Sequence, residues 1–340
     1  MVQACFLALL HGVPTSWRKP ISILTDMPRD SQAYRDQKKE LPLTGPKRSS
    51  SARAKMSLTE ADSVLKSLWD RDVAAWDRYW VPVFSLFARE LVADASLSAG
   101  DVVLDLGTGS GLAAIEACKA VPSLGVAIGI DRSEAMIRLA RKKAARAHLR
   151  NARFHEMTAE DLHFPNEFFD AVISNCGIDV AEFSNDLKEV LRVLKPGGVF
   201  VFNDWHLIDV KPHRVFGEVL GEYRTLTPSP RLARERLALA STESYSRSLS
   251  SEGLLEMVHD AEFRRPRLTN RRYKVRMRGT RDYMRMRLCR ATIRREISEM
   301  SPTQHRLFLS ELRKRLQEFV KRNSFVFDWP VFYIHAEKPS

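Results

Sequence analysis

Cysteine is scarce in this chain of 340 residues: Cys5, Cys118, Cys176 and Cys289 stand far apart, with no CxxC pair. That scatter excludes a disulfide framework and fits a reducing, intracellular compartment. Long apolar runs are also missing. The longest, near residues 4–10, is about half of what a membrane span needs, and it lacks the basic n-region of a signal peptide. No zinc-ligand spacing, no phosphate-binding P-loop and no Gly-x-Ser-x-Gly elbow occurs. A metal-dependent or hydrolytic enzyme is therefore disfavoured, and no metal is expected. What is present is ordinary globular material, 44% apolar and 28% charged, which excludes disorder throughout.

The net charge of +12 is unevenly spread. Residues 1–57 hold 10 Lys/Arg against 4 Asp/Glu, and residues 264–322 hold 20 against 5, so the remainder sums to −9. A basic segment on a mildly acidic protein can mark a nucleic-acid surface or a site for acidic ligands, or it can be a set of solvated helix faces.

Residues 1–57 contain five prolines and Ser49-Ser50-Ser51, with no persistent period. They read as a disordered leader, with organellar targeting left open and Met56 a candidate alternative start. From Leu58 apolar residues recur at helical spacing, with Pro82 marking a break. Apolar strands then alternate with amphipathic helices up to about residue 205, which predicts a mostly parallel sheet covered on both faces. The Lys195-Pro196-Gly197-Gly198 run reads as a helix stop. Beyond 207 come helical stretches at about 212–224, 231–240, 250–261, 280–298 and 303–322, then a strand over Phe325–His335. The alternating basic run Arg271–Arg278 reads as a strand with one cationic face.

The chief signal is Val102-Val103-Leu104-Asp105-Leu106-Gly107-Thr108-Gly109-Ser110-Gly111, a strand running into a glycine turn and a helix. Glycine there lets backbone approach a ligand with no Cβ in the way. Asp131 ends the second strand, 20 residues past Gly111. An acid so placed can accept hydrogen bonds from both hydroxyls of a ribose, or simply cap the next helix with Ser133.

With these go two further blocks: Thr158–Phe164 running into Phe169–Asn175, and Glu189–Gly198. Together the four blocks resemble a class I S-adenosylmethionine-dependent methyltransferase, similar to the ubiquinone/menaquinone-biosynthesis type (methyltransferase type 11 domain). The resemblance covers about residues 100–205. It implies a Rossmann-like α/β fold, a mostly parallel seven-stranded sheet with a helical cap, and S-adenosylmethionine as cofactor. Gly107, Thr108, Gly109 and Gly111 would pass under the methionine and ribose. Asp105 would support the loop and the cofactor's amino group, and Asp131 with Arg132 would hold the ribose. Met136 and the Thr158-Ala159-Glu160-Asp161 stretch would meet the adenine, and Asn175 would lie where the fourth strand reaches cofactor and substrate. The chain departs from the pattern at Thr158, commonly Asp or Asn, and at His163, commonly proline.

Methyl transfer needs alignment and exclusion of water, and a base only if the acceptor must lose a proton. His206, after the fifth strand, is the candidate base. Tyr79 and Trp80 on an aromatic helix, with Cys176 and Trp205 at strand ends, are candidate acceptor contacts. The expected organisation is a leader over 1–57, helices and cofactor-binding core over 58–206, a helical, basic cap or substrate region over 207–324, and a final sheet strand and tail over 325–340. The expected reaction is methylation of a small planar or lipophilic, quinone-like acceptor by a cytoplasmic enzyme. The alternatives are an RNA methyltransferase using residues 264–322, a non-catalytic RNA-binding protein, and a nicotinamide-dependent dehydrogenase.

Overall fold

The computed structural model describes residues 56–57, 60–61, 63–64, 68, 70–122, 124–178, 183–205, 209–246 and 250–340. Of the expected leader, only Met56 and Ser57 fall among them.

Two helices come first, α1 (Val73–Tyr79) and α2 (Val81–Asp94), parted at Trp80. Pro82 lies in the first turn of α2, where its missing N–H is no loss, so it starts a helix rather than kinking one. The core then alternates β1 (Val102–Leu106), α3 (Leu112–Ala120), β2 (Val126–Asp131), α4 (Glu134–Arg146), β3 (Ala152–Glu156), β4 (Phe169–Asn175), α5 (Phe183–Val193) and β5 (Leu194–Asp204). After it come α6 (Lys211–Tyr223), α7 (Pro230–Ser246), α8 (Ser251–Asp260), β6 (Arg264–Met277), α9 (Gly279–Leu288), α10 (Ala291–Ser298), α11 (Pro302–Arg315), a short 3-10 turn at Leu316–Phe319, β7 (Val320–Lys321) and β8 (Ser324–Glu337).

The sheet runs β3-β2-β1-β4-β5-β8-β6. The first five strands are parallel; β8 inserts antiparallel between β5 and β6. The sheet is Rossmann-like, as expected, but the two-residue β7 pairs with the start of β8 and makes eight strands rather than seven. Strand order reverses between β1 and β4, which opens a crevice at their C-terminal ends, the usual ligand position in such sheets.

Successive strand residues face opposite cores. Val103, Ala127, Ile173 and Val201 pack with Phe87 and Leu91 of α2, Ala113 and Ala117 of α3, and Ile137 and Ala140 of α4. Leu104, Leu106, Ile128, Val172, Phe200 and Phe202 pack with Leu187 and Val190 of α5 and Leu254 and Val258 of α8. Burial on both faces is why these strands are continuously apolar.

Three local expectations need correction. The helix before Lys195–Gly198 does stop, at Val193, but the strand expected from Val199 begins already at Leu194, and Gly197 and Gly198 exchange backbone hydrogen bonds with Lys338. The helix expected over 280–298 is two helices, because the Asp72 carboxylate accepts from the Ala291 N–H (2.7 Å) and fixes a fresh start there. The helix expected over 303–322 ends at Arg315, after which the chain tightens and turns into β7.

Candidate functional site

The glycine loop leaves β1 at the crevice. Gly107 (φ +63°) and Gly109 (φ +53°) adopt left-handed backbone, which L side chains resist. A Cβ on Gly107 would lie 2.5 Å from the Gly177 carbonyl oxygen, so the β1 and β4 loops can close on each other only without a side chain. A Cβ on Gly109 would meet nothing within 4 Å. Gly109 therefore presents bare backbone to open space, the shape of a cradle rather than of a packed turn.

Two carboxylates brace the loop from below. Asp105, 1% exposed, accepts through Oδ2 from the Thr108 hydroxyl (2.6 Å) and the Ala114 N–H (2.8 Å). Its Oδ1 is buried with no hydrogen-bond partner. Burial pushes this carboxyl up to about 7, against the pull of the Thr108 and Ala114 hydrogen bonds. Asp131 accepts from the Gly109 N–H at Oδ2 (3.0 Å) and from the Ser133 N–H at Oδ1 (2.9 Å). So Asp131 both clasps the glycine loop and shapes the start of α4, while Ser133, not Asp131, caps that helix by accepting from Met136 N–H. Each Asp131 oxygen retains further acceptor capacity.

The other positions singled out from sequence lie around this pair. Arg132 is half-buried beside Asp131, and Met136 is packed into the core below α4. Thr158, Glu160 and Asp161 are exposed and Ala159 buried, on a loop whose first residue, Met157, donates its N–H to the Asp131 carbonyl. Glu189 and Arg192 of α5 hold that loop: Glu189 accepts from Leu162 N–H (2.9 Å), and Arg192 donates to the carbonyls of Leu162 and Phe164. Asn175 and Cys176 line a narrow pocket with Gly107–Ser110, Trp76, Val81, Phe84 and Leu112. Cys176 is 2% exposed, and its N–H and thiol both point to Asn203 Oδ1 (3.0 and 3.4 Å).

The structure does not bring the remaining candidates into that pocket. Tyr79 is half-buried with Arg78 over its ring. Trp80 is packed in the core: it is 1% exposed, donates Nε1–H to the Met286 carbonyl (2.9 Å) and stacks on Trp76 (5.1 Å between ring centres). Trp205 is fully buried among Trp329 and His213. His206 lies outside the described residues.

Sequence reading missed the polar ties that seat the N-terminal helices on the loop. Asp77 of α1 accepts from Ser110 Oγ (2.9 Å) and pairs with Lys143 of α4 (2.6 Å), and Asp70 accepts from Ser133 Oγ (2.6 Å). It also missed Asn203 on β5, which bridges Asn175 (3.1 Å), Cys176 and the Phe87 carbonyl. No motif flags these residues, because each partner lies on another element far along the chain.

With this geometry in view the chain can be compared with known proteins. Residues 97–230 match a family described as a methyltransferase domain. Residues 97–230 thus carry a methyltransferase domain. It is 36% identical over 116 residues to demethylmenaquinone methyltransferase of Symbiobacterium thermophilum, covering 33% of this chain and 46% of that protein. It is 37% identical over 124 residues to a ubiquinone/menaquinone biosynthesis C-methyltransferase of Geobacter sulfurreducens, covering 36% and 46%. It is 36% identical over 135 residues to aklanonic acid methyltransferase of a Streptomyces species, covering 39% and 61%. The chain thus spans about half the length of the relatives it matches. Among the described residues no helix is long and apolar enough to cross a membrane.

Proposed function

We propose that the protein transfers a methyl group from S-adenosylmethionine to a small organic acceptor. The observation that carries this reading is the open glycine cradle between two braced carboxylates. Gly109 offers backbone to empty space, the orphaned Asp105 Oδ1 can receive an ammonium, and both Asp131 oxygens can accept from ribose hydroxyls. The donor set fits the cofactor's ends: cationic methionine against Asp105, ribose against Asp131 and Arg132. Its adenine would lie toward Met136 and the loop Thr158–Asp161, where Arg192 and Glu189 keep the backbone fixed.

Bound there, the cofactor supplies a sulfonium methyl, whose transfer is an in-line displacement. The chain's part is positioning. Gly107, Thr108 and Gly111 hold the loop shape, and Asn203 fixes Asn175 and Cys176 at the pocket wall facing the methyl. Trp76, Val81 and Phe84 supply an apolar roof that excludes water. No pair among the described pocket-lining residues acts as an acid–base dyad, so an acceptor that ionises readily suits this site.

The acceptor class follows from the same pocket and from the relatives. An apolar, aromatic-walled pocket favours a planar molecule, and the named relatives act on demethylmenaquinone and aklanonic acid. A planar, quinone-like or polyketide-like small molecule is the substrate class we infer. The wide scatter of the four cysteines along the sequence suits a reducing compartment such as the cytoplasm.

The test is calorimetric titration of S-adenosylmethionine into wild type and Asp131→Ala, with labelled methyl transfer to separated cell fractions. Binding in wild type, lost in the folded variant, and label in the organic extract are expected. NADH binding with no affinity for S-adenosylmethionine would overturn the reading.

A further inference from the structure

Behind the roof of that pocket lies a buried cluster of polar atoms with no partners. Arg287, on α9, is fully buried, and none of its three guanidinium nitrogens has a hydrogen-bond partner. Its charge rests only on rings: the guanidinium carbon is 4.8 Å from the centre of Phe216 and 5.6 Å from that of Trp80. Arg290, buried to a similar degree three residues on, instead meets the Asp72 carboxylate (3.5 Å). The groups whose charges reach Arg287 are His213, Tyr283 and Cys289, and burial holds His213 neutral and keeps Tyr283 and Cys289 protonated. Among the described residues no anion answers the guanidinium.

Three more orphans share the cluster. His213 donates or accepts at Nδ1 with the Tyr283 hydroxyl (3.0 Å), but its Nε2 is unpartnered. Trp205 Nε1 and Trp329 Nε1 are buried donors without acceptors. The rings are in mutual contact: His213 to Trp329 at 4.7 Å, His213 to Trp205 at 5.5 Å, Trp205 to Trp329 at 5.1 Å and Trp80 to His213 at 6.1 Å between centres. A buried, unpaired charge is among the most costly features a fold can hold, and buried polar atoms are nearly always satisfied. Here the unsatisfied atoms are almost all donors, and all are flanked by flat apolar faces.

The cluster's position ties it to the cofactor cradle. Trp205 follows the C-terminal end of β5, on the ligand side of the sheet. Trp76 and Phe84 line the glycine-loop pocket on one side and touch the cluster on the other, Trp76 stacking on Trp80 at 5.1 Å and Phe84 meeting Trp329 at 5.8 Å.

We propose that this cluster seats the anionic end of the acceptor whose reacting end lies in the glycine-loop pocket, and that the acceptor is a planar aromatic carboxylate whose anion pairs with Arg287 while Trp205 and Trp329 donate to its oxygens. The inference takes the word acceptor from the methyltransferase reading; the anion site itself stands on Arg287 and its neighbours. The guanidinium fork matches a carboxylate with two parallel hydrogen bonds, and the surrounding rings match a flat body. Seating the ligand requires the Trp76 and Phe84 wall to move, and that wall belongs to α1 and α2.

The experiment uses the full chain and two probes of one shape, 2-naphthoate and the uncharged 2-naphthamide, in isothermal titration calorimetry. Wild type is expected to bind naphthoate about tenfold more tightly than the amide or better, the yield of a buried charge-assisted pair. Arg287→Met is expected to lose that preference and to unfold at the same temperature as wild type or higher, since it replaces an unpaired buried charge with an apolar side chain of similar length. Equal affinity of wild type for the two probes would overturn the proposal without recourse to any variant. So would an Arg287→Met protein that keeps the naphthoate preference. Failure to bind S-adenosylmethionine would strike the methyltransferase reading and leave the naphthoate preference to be read on its own.

Discussion

Gly109→Ala separates the cradle from the fold. Its φ of +53° costs an alanine about 1–2 kcal/mol, partly offset by about 0.4–1 kcal/mol from the stiffer unfolded chain. Nothing within 4 Å opposes the added methyl, so no packing cost is added. The net loss of about 1 kcal/mol should lower the unfolding midpoint by about 2–4 °C. The methyl does, however, enter the space where the cofactor would lie against backbone. Overpacking of about 1–3 kcal/mol there corresponds to about 5- to 150-fold weaker binding of S-adenosylmethionine.

Gly107→Ala is the contrasting change. Its Cβ would stand 2.5, 2.7 and 2.9 Å from the O, Cα and C atoms of Gly177, and backbone on both loops must shift. That variant should lose several kcal/mol, well beyond the Gly109 change. Differential scanning calorimetry reads the stabilities and titration calorimetry the affinity. Wild-type affinity in a folded Gly109→Ala protein would refute the placement of the cofactor on this loop. Equal destabilisation by the two substitutions would refute the claim that one glycine serves the ligand and the other the fold.

Three further outcomes follow from the braces of the cradle. Asp105 carries a folded-state value of about 7 against an ordinary 3.8, so the stability linked to its protonated form is fully present below about pH 4 and lost as pH rises through 7. Asp105→Asn, neutral throughout, should flatten the fall in stability over that window, by at most about 4 kcal/mol in chemical denaturation; an unchanged slope would count against the burial argument. In wild type, S-adenosylmethionine affinity should rise as pH passes 7 and Asp105 becomes a partner for the ammonium, and the rise should vanish in Asp105→Asn. Asp77→Ala removes the Ser110 and Lys143 ties of α1, both partly exposed, so stability should fall by less than about 1 kcal/mol while stopped-flow dissociation of the cofactor accelerates. An unchanged dissociation rate would mean that α1 does not gate the cradle.

How much of this was readable beforehand depends on how local each signal is. The glycine loop, Asp105 and Asp131 were legible because a strand end, a turn and a helix start lie within ten residues, and their chemistry is fixed by backbone shape. That the last strand joins the sheet came only from the family resemblance, and its insertion between β5 and β6 was not legible, since an apolar strand does not state its neighbours. The break at Cys289–Arg290 was not legible, because its cause is the Asp72 carboxylate over two hundred residues away. Trp80 was ambiguous for a related reason. An amphipathic helix shows that one face is apolar, not what that face meets, and the carbonyl that Trp80 donates to is supplied by α9, far along the chain.

Charge misleads in the same way when it is counted along the chain. The basic excess of residues 264–322 suggested a phosphate-binding surface, the basis of the RNA alternatives. In the fold, acids from distant segments take up much of it. Arg271 pairs with Asp94 and Glu90, Arg290 and Arg294 with Asp72, Arg295 with Glu235, and Arg315 with Glu222 as well as its helical neighbour Glu311. These pairs staple β6, α10 and α11 to the N-terminal helices and to α6 and α7. A window count therefore measures how a segment is attached as much as what it attracts. Arg264, Arg265, Arg267, Arg272, Lys274 and Arg276 stay exposed on the edge strand β6, a solvated basic face. Arg287 differs from these in being fully buried with no hydrogen-bond partner among the described residues, and its burial removes it from any surface. If a basic residue in this region recognises an anion, the unanswered buried charge is the one whose pairing would return the most.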